Sequence, residues 1–269
     1  MPAHFDPSVA IGASPAVPSS TPAVRRDADG VQVITRAAAI MRQLAGHRDG
    51  LTVIDVARGV DLPRSTTHRI ILALTQEGLA RRGADGRFTL GLEFESLAEA
   101  ARSSLRRKLS PHLLRLTERT GETAELGVLS GGDVLFIDSH ASRQTLRVVS
   151  EVGTRAPVHA TASGKALLAA LPRDRVERML PRLLVGLTKR TITSRDALLE
   201  ELDRVRQTGT ALDIEEHSLG VCSVATAVTD ENGETAALAV VVPTARFSTR
   251  ATIEAALLRE SRQIRREVG

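Results

Sequence analysis

Residues 51–91 read LTVIDVARGVDLPRSTTHRIILALTQEGLARRGADGRFTLG and predict two helices separated by a tight break. The first helix lies within LTVIDVARGV and ends at Asp61-Leu62-Pro63. The second is expected to open at Pro63, because proline fixes φ and its missing N–H is not needed in the first helical turn. Four residues of this second helix recur at helical spacing and are predicted to face a core: Thr67, Ile70, Ile71 and Leu74.

The opposite face of the second helix is polar. It carries donors that can reach base edges and phosphates, namely Arg64, Ser65, Thr66, His68 and Arg69. The next segments, LARR (79–82) and RFTL (87–90), flank Gly83-Ala84-Asp85-Gly86 and predict a β-hairpin with Arg82 and Arg87 on either side of its turn. A helix, a turn, a polar-faced helix and a basic hairpin in this order are typical of a winged helix-turn-helix. We therefore predict duplex DNA binding, with the hairpin arginines adding affinity more than sequence choice.

The charge distribution supports this prediction over the simpler view that the arginines are merely solvated. The formal net charge is +4. Residues 25–108 carry 15 Lys and Arg against 10 Asp and Glu, whereas residues 109–269 carry 21 of each and residues 1–24 contribute only Asp6. The positive excess therefore lies with the predicted DNA-binding domain, where it can neutralise phosphates.

Composition excludes several classes of protein. The chain has no Trp, no Tyr and only five Phe, which argues against a single-strand binder that stacks bases on aromatic side chains. Its one cysteine, Cys222, excludes an intramolecular disulfide and a cysteine-rich zinc site. No apolar run approaches the roughly 20 residues that span a bilayer, and the N-terminus is not a persuasive secretion signal. We expect a cytoplasmic protein with no membrane partner, no metal and no cofactor.

The length of 269 residues suits two domains. Residues 1–24 hold five of the eleven prolines and are expected to form a disordered tail. Residues 25–91 are predicted to form the winged helix-turn-helix, residues 92–108 a linker helix, and residues 109–269 a second domain. The basic residues of the linker are either solvated or weak phosphate contacts: Arg102, Arg106, Arg107 and Lys108.

Strand-like alternation and hairpin signals dominate the second domain. Strands are predicted at 122–130, 133–140, 145–150, 222–230 and 234–243, with helices at 112–121, 161–171, 196–209 and 251–268 and short helical turns around 173–180. Asn232-Gly233 is the strongest of the hairpin signals. We predict an α+β domain of sensor type, in which helices flank an antiparallel sheet.

Over about residues 31–268 the chain resembles transcriptional regulators of the isocitrate-lyase-regulator (IclR) family. The stretches that match are VQVITRAAAIMRQLA, LPRSTTHRIILALTQEGLARRGADGRFTLG, GETAELGVLSGGDVLFIDS, APVHATASGKALLAAL and GTALDIEEHSLGVCSVATAVTDENGE. The resemblance implies an N-terminal winged helix and a C-terminal ligand-sensing domain like GAF domains. It also implies homodimers, often dimers of dimers, bound to palindromic operators near the regulator's own gene and near neighbouring catabolic operons.

The resemblance further implies an effector site built from Ala162, Ser163, Asp213, Ser223, Ala239 and Val241. Ala162 and Ser163 stand at the start of a helix, whose free N–H groups suit a carboxylate. Ala239 and Val241 stand where the family often has serine, so the site is expected to be more apolar than usual. This departure favours a small organic acid with an apolar or aromatic body over glyoxylate or pyruvate. An alternative role for Asp213 is a structural cap or ion pair.

An enzyme is the competing interpretation. It would use Ser163, Lys165, His159, Asp213, Glu216, His217 or Cys222. However, Ser163 and Lys165 are two residues apart and do not face each other on a helix. No base accompanies Cys222, and the histidines lack a metal-ligand spacing. We expect Lys165 either to pair with a carboxylate or to act as a structural cap, and we expect Cys222 to be buried. A purely architectural DNA-binding protein would not need the sensor domain, so we do not favour that class. We predict a repressor of a neighbouring catabolic operon, with an activator of the same architecture as the alternative.

Overall fold

The computed structural model describes residues 29–101 and 104–268, which form two compact units. The first unit consists of four helices and one short hairpin. Its elements are α1 (Asp29–Ala45), α2 (Val53–Gly59), α3 (Arg64–Gln76), β1 (Ala80–Arg82), β2 (Phe88–Leu90) and α4 (Glu93–Ala101). The predicted tail over residues 1–24 lies outside the described residues.

Local interactions fix the start of α2 and the turn that leads from α2 to α3. Thr52 caps α2, because its hydroxyl accepts a hydrogen bond from the Asp55 N–H while the Asp55 carboxylate accepts one from the Thr52 N–H, each at 3.3 Å. Asp61 then adopts a positive φ of 49°, which aspartate tolerates better than most residues. Pro63 was predicted as the first helical residue of α3, but it occupies the N-cap and the helix begins one position later at Arg64.

The first unit has the predicted winged helix-turn-helix fold. The stripe that α3 buries is the predicted one, Thr67, Ile70, Ile71 and Leu74. Its apolar members pack into a core with Ile40, Leu44, Leu51, Val56, Ala80 and Phe88. The hairpin pairs Arg82 with Phe88, and Leu51 joins it through two backbone hydrogen bonds with Phe88 of 2.8 and 2.9 Å. The hairpin is therefore tied to the helices through its second strand.

The second unit is α+β, with one antiparallel sheet flanked by helices. Its helices are α5 (Ser104–Thr120), α6 (Ala162–Ala169), α7 (Arg173–Met179), α8 (Arg195–Thr208) and α9 (Arg250–Val268), and a 3₁₀ turn spans Thr244–Thr249. Its strands are β3 (Thr123–Ser130), β4 (Asp133–His140), β5 (Arg155–Pro157), β6 (Ala211–Ile214), β7 (Val221–Thr229) and β8 (Thr235–Pro243). The six strands lie in the order β5-β4-β3-β8-β7-β6.

Each face of this sheet carries its own apolar core. On one face, leucines and isoleucines of α5 and α9 pack against larger side chains such as Leu126, Val240 and Val242. On the other face, α6 packs against β7 and β8, which present the small residues Ala225, Ala237 and Ala239, and α8 packs against α6. Because successive strand residues point to opposite faces, β7 and β8 alternate between the two cores. The alanines allow α6 to approach the sheet closely.

The prediction of a strand over residues 145–150 is wrong. The position beside β4 is taken by β5, with Val134 opposite Ala156. Carbonyls of the 145–150 segment are instead bonded by side chains, because Thr123 Oγ1 donates to the Val148 carbonyl at 2.6 Å and Arg246 to the Leu146 carbonyl at 2.9 Å. The sequence patterns also missed the short edge strands β5 and β6.

Helix α5 differs from the prediction as well. It runs through Pro111, whereas the sequence pattern predicted one helix ending at Lys108 and another beginning at His112. Pro111 lies on an exposed side of α5, where water can satisfy the carbonyl that the proline ring leaves unbonded. In the parts of the chain described, no helix combines the length and apolar character needed to cross a membrane.

Candidate functional site

The exposed face of α3 carries the predicted DNA-contacting side chains. Arg64, Ser65, His68 and Arg69 are exposed, and Thr66 is half-buried. Thr67 between them is buried, and its hydroxyl donates to the Pro63 carbonyl at 3.2 Å. The helix therefore separates a polar solvent face from its core face, as the spacing predicted.

A groove of about 610 Å³ lies beside this face, between α3, the start of α2 and the hairpin. Its lining includes Arg64, Ser65 and His68 together with Arg82 and Gly86 of the hairpin and Thr52, Val53, Ile54 and Phe88. Sequence reasoning missed Thr52, Val53 and Ile54. The signal available for them was the capping pattern at Thr52, which predicts the start of α2.

The two predicted hairpin arginines have different surroundings. Arg82 lines the groove, with its guanidinium carbon 5.8 Å from the centre of the Phe88 ring. Arg87 instead donates through Nη1 to the Gly50 carbonyl at 3.0 Å, and its Nε lies 3.7 Å from the Asp85 carboxylate. Arg87 is thus held by its own domain, whereas Arg82 faces the groove.

The basic residues that follow α4 are partly committed to the second unit. Arg106 lies 3.6 Å from Asp138, and Lys108 lies 3.0 Å from Glu231. These two side chains therefore form intramolecular ion pairs. The sequence pattern predicted only solvated side chains or weak phosphate contacts. Arg102 lies outside the described residues.

In the second unit, the predicted effector residues of the strands meet on the α6 face of the sheet. Asp213 on β6 lies opposite Ser223 on β7, and Ser223 lies opposite Val241 on β8. Val241 in turn lies opposite Thr123, so these four residues form one cross-strand row. Ala239 belongs to the neighbouring row on the same face. All of these residues are buried.

The start of α6 lies against the same face. Thr161 caps this helix, accepting a hydrogen bond from the Gly164 N–H at 3.1 Å, and Ala162 and Ser163 are its first two residues. Their N–H groups have no carbonyl one turn earlier to bond. Gly164 permits the first turn of α6 to pack closely on the segment after β5, since a Cβ there would lie 2.2 Å from the Val158 carbonyl oxygen. The site thus pairs helical N–H donors with an apolar sheet surface.

Asp213 also fulfils the structural alternative considered for it. Its Oδ1 accepts hydrogen bonds from the N–H groups of Glu216 at 2.7 Å and His217 at 3.3 Å, which fixes the turn after β6. Burial raises the pKa of Asp213 to about 7, against the opposing effect of these hydrogen bonds. The carboxyl is therefore both a turn cap and a member of the row.

A buried ion cluster lies beside Asp213. Lys165 of α6 is almost fully buried, and its Nζ lies 2.6 Å from Glu216 Oε1 and 3.4 Å from Glu201 Oε1. Burial raises the pKa of Glu216, while the Lys165 charge opposes this effect. The expected pairing of Lys165 with a carboxylate is confirmed, and the amine is committed to that pairing.

Sequence reasoning missed Glu125, a second buried carboxyl on this face. It stands on β3 opposite Ala239, and only 2% of the residue is exposed. Within the described ranges its Oε1 has no hydrogen-bond partner. Burial raises the pKa of Glu125 to about 7, partly offset by the Ser150 hydroxyl and N–H beside it. Alternation within ETAELGVLS could have placed Glu125 on the same face as Thr123 and Gly127.

The residues of the enzyme interpretation do not form a catalytic arrangement. Cys222 is fully buried on the opposite face of β7, and burial raises the pKa of its thiol. His159 Nε2 lies 2.9 Å from the Val185 carbonyl oxygen, which is a structural hydrogen bond. Among residues 29–101 and 104–268, no three His, Cys, Asp or Glu side chains are grouped so that they could hold a metal ion.

Both units match profiles of one protein family. The profile described as "IclR helix-turn-helix domain" matches residues 33–84. The profile described as "Bacterial transcriptional regulator IclR C-terminal" matches residues 98–266. The two matches follow the winged helix and the sheet domain.

Curated relatives agree with these profiles. The chain is 41% identical to the HTH-type transcriptional regulator TtgV of Pseudomonas putida over 244 residues, which cover 90% of this chain and 93% of the relative. It is 31% identical to the transcriptional repressor IclR of Escherichia coli over 225 residues, which cover 81% and 82%. Both relatives are named as transcriptional regulators rather than as enzymes.

A solved structure extends the likeness to three dimensions. An IclR homologue from Microbacterium hydrocarbonoxydans, crystallised in complex with 4-hydroxybenzoate, is similar with a TM-score of 0.75 and 29% identity over 86% of this chain and 97% of the other. Since the profiles cover both units and the relatives cover most of the chain, the protein belongs to the IclR family of bacterial transcriptional regulators.

Proposed function

We propose that this regulator binds operator DNA through α3 and the hairpin and represses a neighbouring catabolic operon until an effector releases it. The exposed donors of α3 and the adjoining groove support the DNA contact. The helix presents Arg64 and His68 toward solvent, and the groove places Arg82 beside them. Side chains arranged in this way can read base edges while the hairpin reaches the backbone or minor groove.

The effector in this proposal is a small organic acid with an apolar or aromatic body. The observation that carries it is the cross-strand row of Asp213, Ser223 and Val241 on the face that α6 covers. The acid group would meet the N–H groups of Ala162 and Ser163, and Ala239 and Val241 would contact the apolar body. The 4-hydroxybenzoate complex of the Microbacterium homologue supports an aromatic acid.

The repressor role follows the Escherichia coli relative, which is named as a repressor. Effector binding must then favour the state with low operator affinity. By linkage, any factor by which the acid weakens DNA binding must equal the factor by which DNA weakens acid binding. This reciprocity makes the proposal quantitative.

A homodimer, or a dimer of dimers, completes the proposal, because one winged helix reads only a short half-site. Exposed apolar residues of the first unit support self-association: Val33 and Ile34 on α1 and Leu97 on α4. Light scattering of the full chain should give a multiple of its 28.8 kDa mass. A monomer with and without operator DNA would contradict this part.

The decisive experiment measures fluorescence anisotropy of labelled DNA from the region upstream of the protein's own gene, with random DNA as competitor. We expect specific binding that 4-hydroxybenzoate weakens, and transcription in vitro that falls when protein is added. Transcription that rises instead would make the protein an activator. Failure to bind any such DNA, with or without the acid, would overturn the operator assignment. Binding to a chromosomal operator requires a cytoplasmic location, which is part of the proposal.

A further inference from the structure

Glu125 occupies a central position on the proposed effector face. Along β3, the residues that point to this face are Thr123, Glu125 and Gly127, each about 7 Å from the next. Gly127 lies beneath the start of α6, and Thr123 ends the row that contains Ser223. Glu125 therefore stands between the helical N–H donors and that row.

The carboxyl of Glu125 lacks a protein partner for one oxygen. Within the part of the chain that the structure describes, Oε1 is buried and unbonded. A buried polar atom without a partner costs free energy, so natural proteins rarely retain one without a functional or structural reason. Ser150 lies beside the carboxyl, and Oε1 is left for another donor.

The neighbouring side chains do not supply that donor. The residue opposite Glu125 on β8 is Ala239, and the next in that row is Ala225. The residue opposite Glu125 on β4 is Ser139, whose hydroxyl is also buried and, among the described residues, unbonded. The buried cation of this region, Lys165, is paired with Glu216 and Glu201. Among the described residues neither Glu125 Oε1 nor Ser139 Oγ has a partner, so Oε1 is available to a donor of a bound ligand.

A ligand carboxylate is a poor candidate for this partner, because it accepts hydrogen bonds and carries the same charge as an ionised Glu125. The acid group is better placed at the N–H groups of Ala162 and Ser163. A hydroxyl group at the far end of the ligand would donate to Glu125.

We propose that Glu125 is a specificity-determining residue whose Oε1 accepts a hydrogen bond from a hydroxyl group of the effector, so that the effector class is a hydroxylated aromatic acid. This inference rests on the proposed acid-binding function. It assigns the hydroxyl to Glu125 because Asp213 already uses Oδ1 to bond two backbone N–H groups. A site built to bond a hydroxyl discriminates against the analogue that lacks it.

The test is calorimetry on the full chain with 4-hydroxybenzoate and benzoate as the two probes. Wild-type protein should bind the hydroxylated acid about ten- to a hundredfold more tightly, because the benzoate complex would leave the buried Oε1 without a hydrogen-bond partner. Glu125→Leu should reduce this ratio to about one while retaining benzoate binding. Glu125→Gln keeps a neutral acceptor and should give an intermediate ratio. A purely structural role for Glu125 would change both affinities together and leave the ratio intact.

The outcomes separate this inference from the proposed function. Equal binding of the two acids by the wild type, or a preference that Glu125→Leu leaves unchanged, overturns the role of Glu125 alone. A preference lost in Asp213→Asn but kept in Glu125→Leu reassigns the hydroxyl to Asp213 and also overturns it. If the wild type binds neither acid, the proposed effector class fails and this inference fails with it. Thermal unfolding of each variant checks that the fold is retained.

Discussion

Ser163 packs directly over Gly127, such that a Cβ built at Gly127 would lie 3.6 Å from the Ser163 Cβ and 2.7 Å from Val134 Cγ1. This contact brings the first turn of α6 onto β3. It places the helical N–H donors over Gly127, two residues along β3 from Glu125, so that Glu125 lies between these donors and the row that contains Ser223. The proposed effector site depends on this close approach.

Gly127→Ala should therefore destabilise the second unit. The added methyl group must displace Val134, and overpacking of this kind costs about 1–3 kcal/mol. For a domain of this size the unfolding temperature should fall by roughly 2–4 °C per kcal/mol. Gly186→Ala is a matched control, because its Cβ would meet only Thr193 Cγ2 at 3.4 Å and the Thr188 carbonyl at 3.9 Å. Equal melting temperatures of the two variants would contradict the predicted crowding.

Arg64→Ala should weaken operator binding by about 1–3 kcal/mol if Arg64 reads a base. Arg58→Ala is the control, because Arg58 is an exposed arginine of α2 whose nearest carboxylate is 4.0 Å away. Competition with random DNA distinguishes the mechanisms. An equal loss on operator and random DNA would reassign Arg64 to a phosphate, and no loss at all would place the DNA elsewhere.

The hairpin arginines should differ in their effect on salt dependence. Arg82→Ala should lower the slope of log K against log salt by roughly one phosphate's contribution. Arg87→Ala should change it less, because Arg87 already bonds the Gly50 carbonyl. Anisotropy titrations at several salt concentrations measure both slopes. The reverse order would show that Arg87 leaves Gly50 when DNA binds.

Ala162→Pro tests the helical donors of the effector site. Thr161 has φ −121° and ψ 147°, the extended conformation that a residue before proline adopts, so the helix should tolerate the change. Loss of the Ala162 N–H should weaken acid binding about tenfold, as measured by calorimetry. Ser223→Leu should also weaken binding because it fills the row, whereas Cys222→Ala on the opposite face should not. Affinities unchanged by both site variants would place the pocket elsewhere.

Asp213 makes stability depend on pH. Its pKa is about 7 in the folded chain against an ordinary value of 3.8. Between these values the folded chain binds more protons than the unfolded chain, so the free energy of unfolding should fall as pH rises through this window. Lys165 and Glu216 lie near the carboxyl. In Asp213→Asn the amide oxygen can still accept the two backbone hydrogen bonds from Glu216 and His217. Urea unfolding at a series of pH values should show a smaller fall for Asp213→Asn, whereas parallel curves would contradict the raised pKa.

The sequence by itself determined the winged helix-turn-helix and the α+β class of the second unit. Thr67, Ile70, Ile71 and Leu74 are buried as predicted because helical periodicity is a local property. The exposed face of α3 follows from the same periodicity. The longer strands of the sheet were predictable because alternation and hairpin turns are local as well.

Only the tertiary structure decided which segments complete the sheet. Residues 145–150 alternate like a strand, yet the edge beside β4 belongs to Arg155–Pro157. Pairing joins segments that are distant in sequence, and competition for one edge cannot be judged from either segment alone. The same limit applies to the hydrogen bond from Arg87 to the Gly50 carbonyl and to the unpartnered oxygen of Glu125. Both depend on which groups the fold places close to each other.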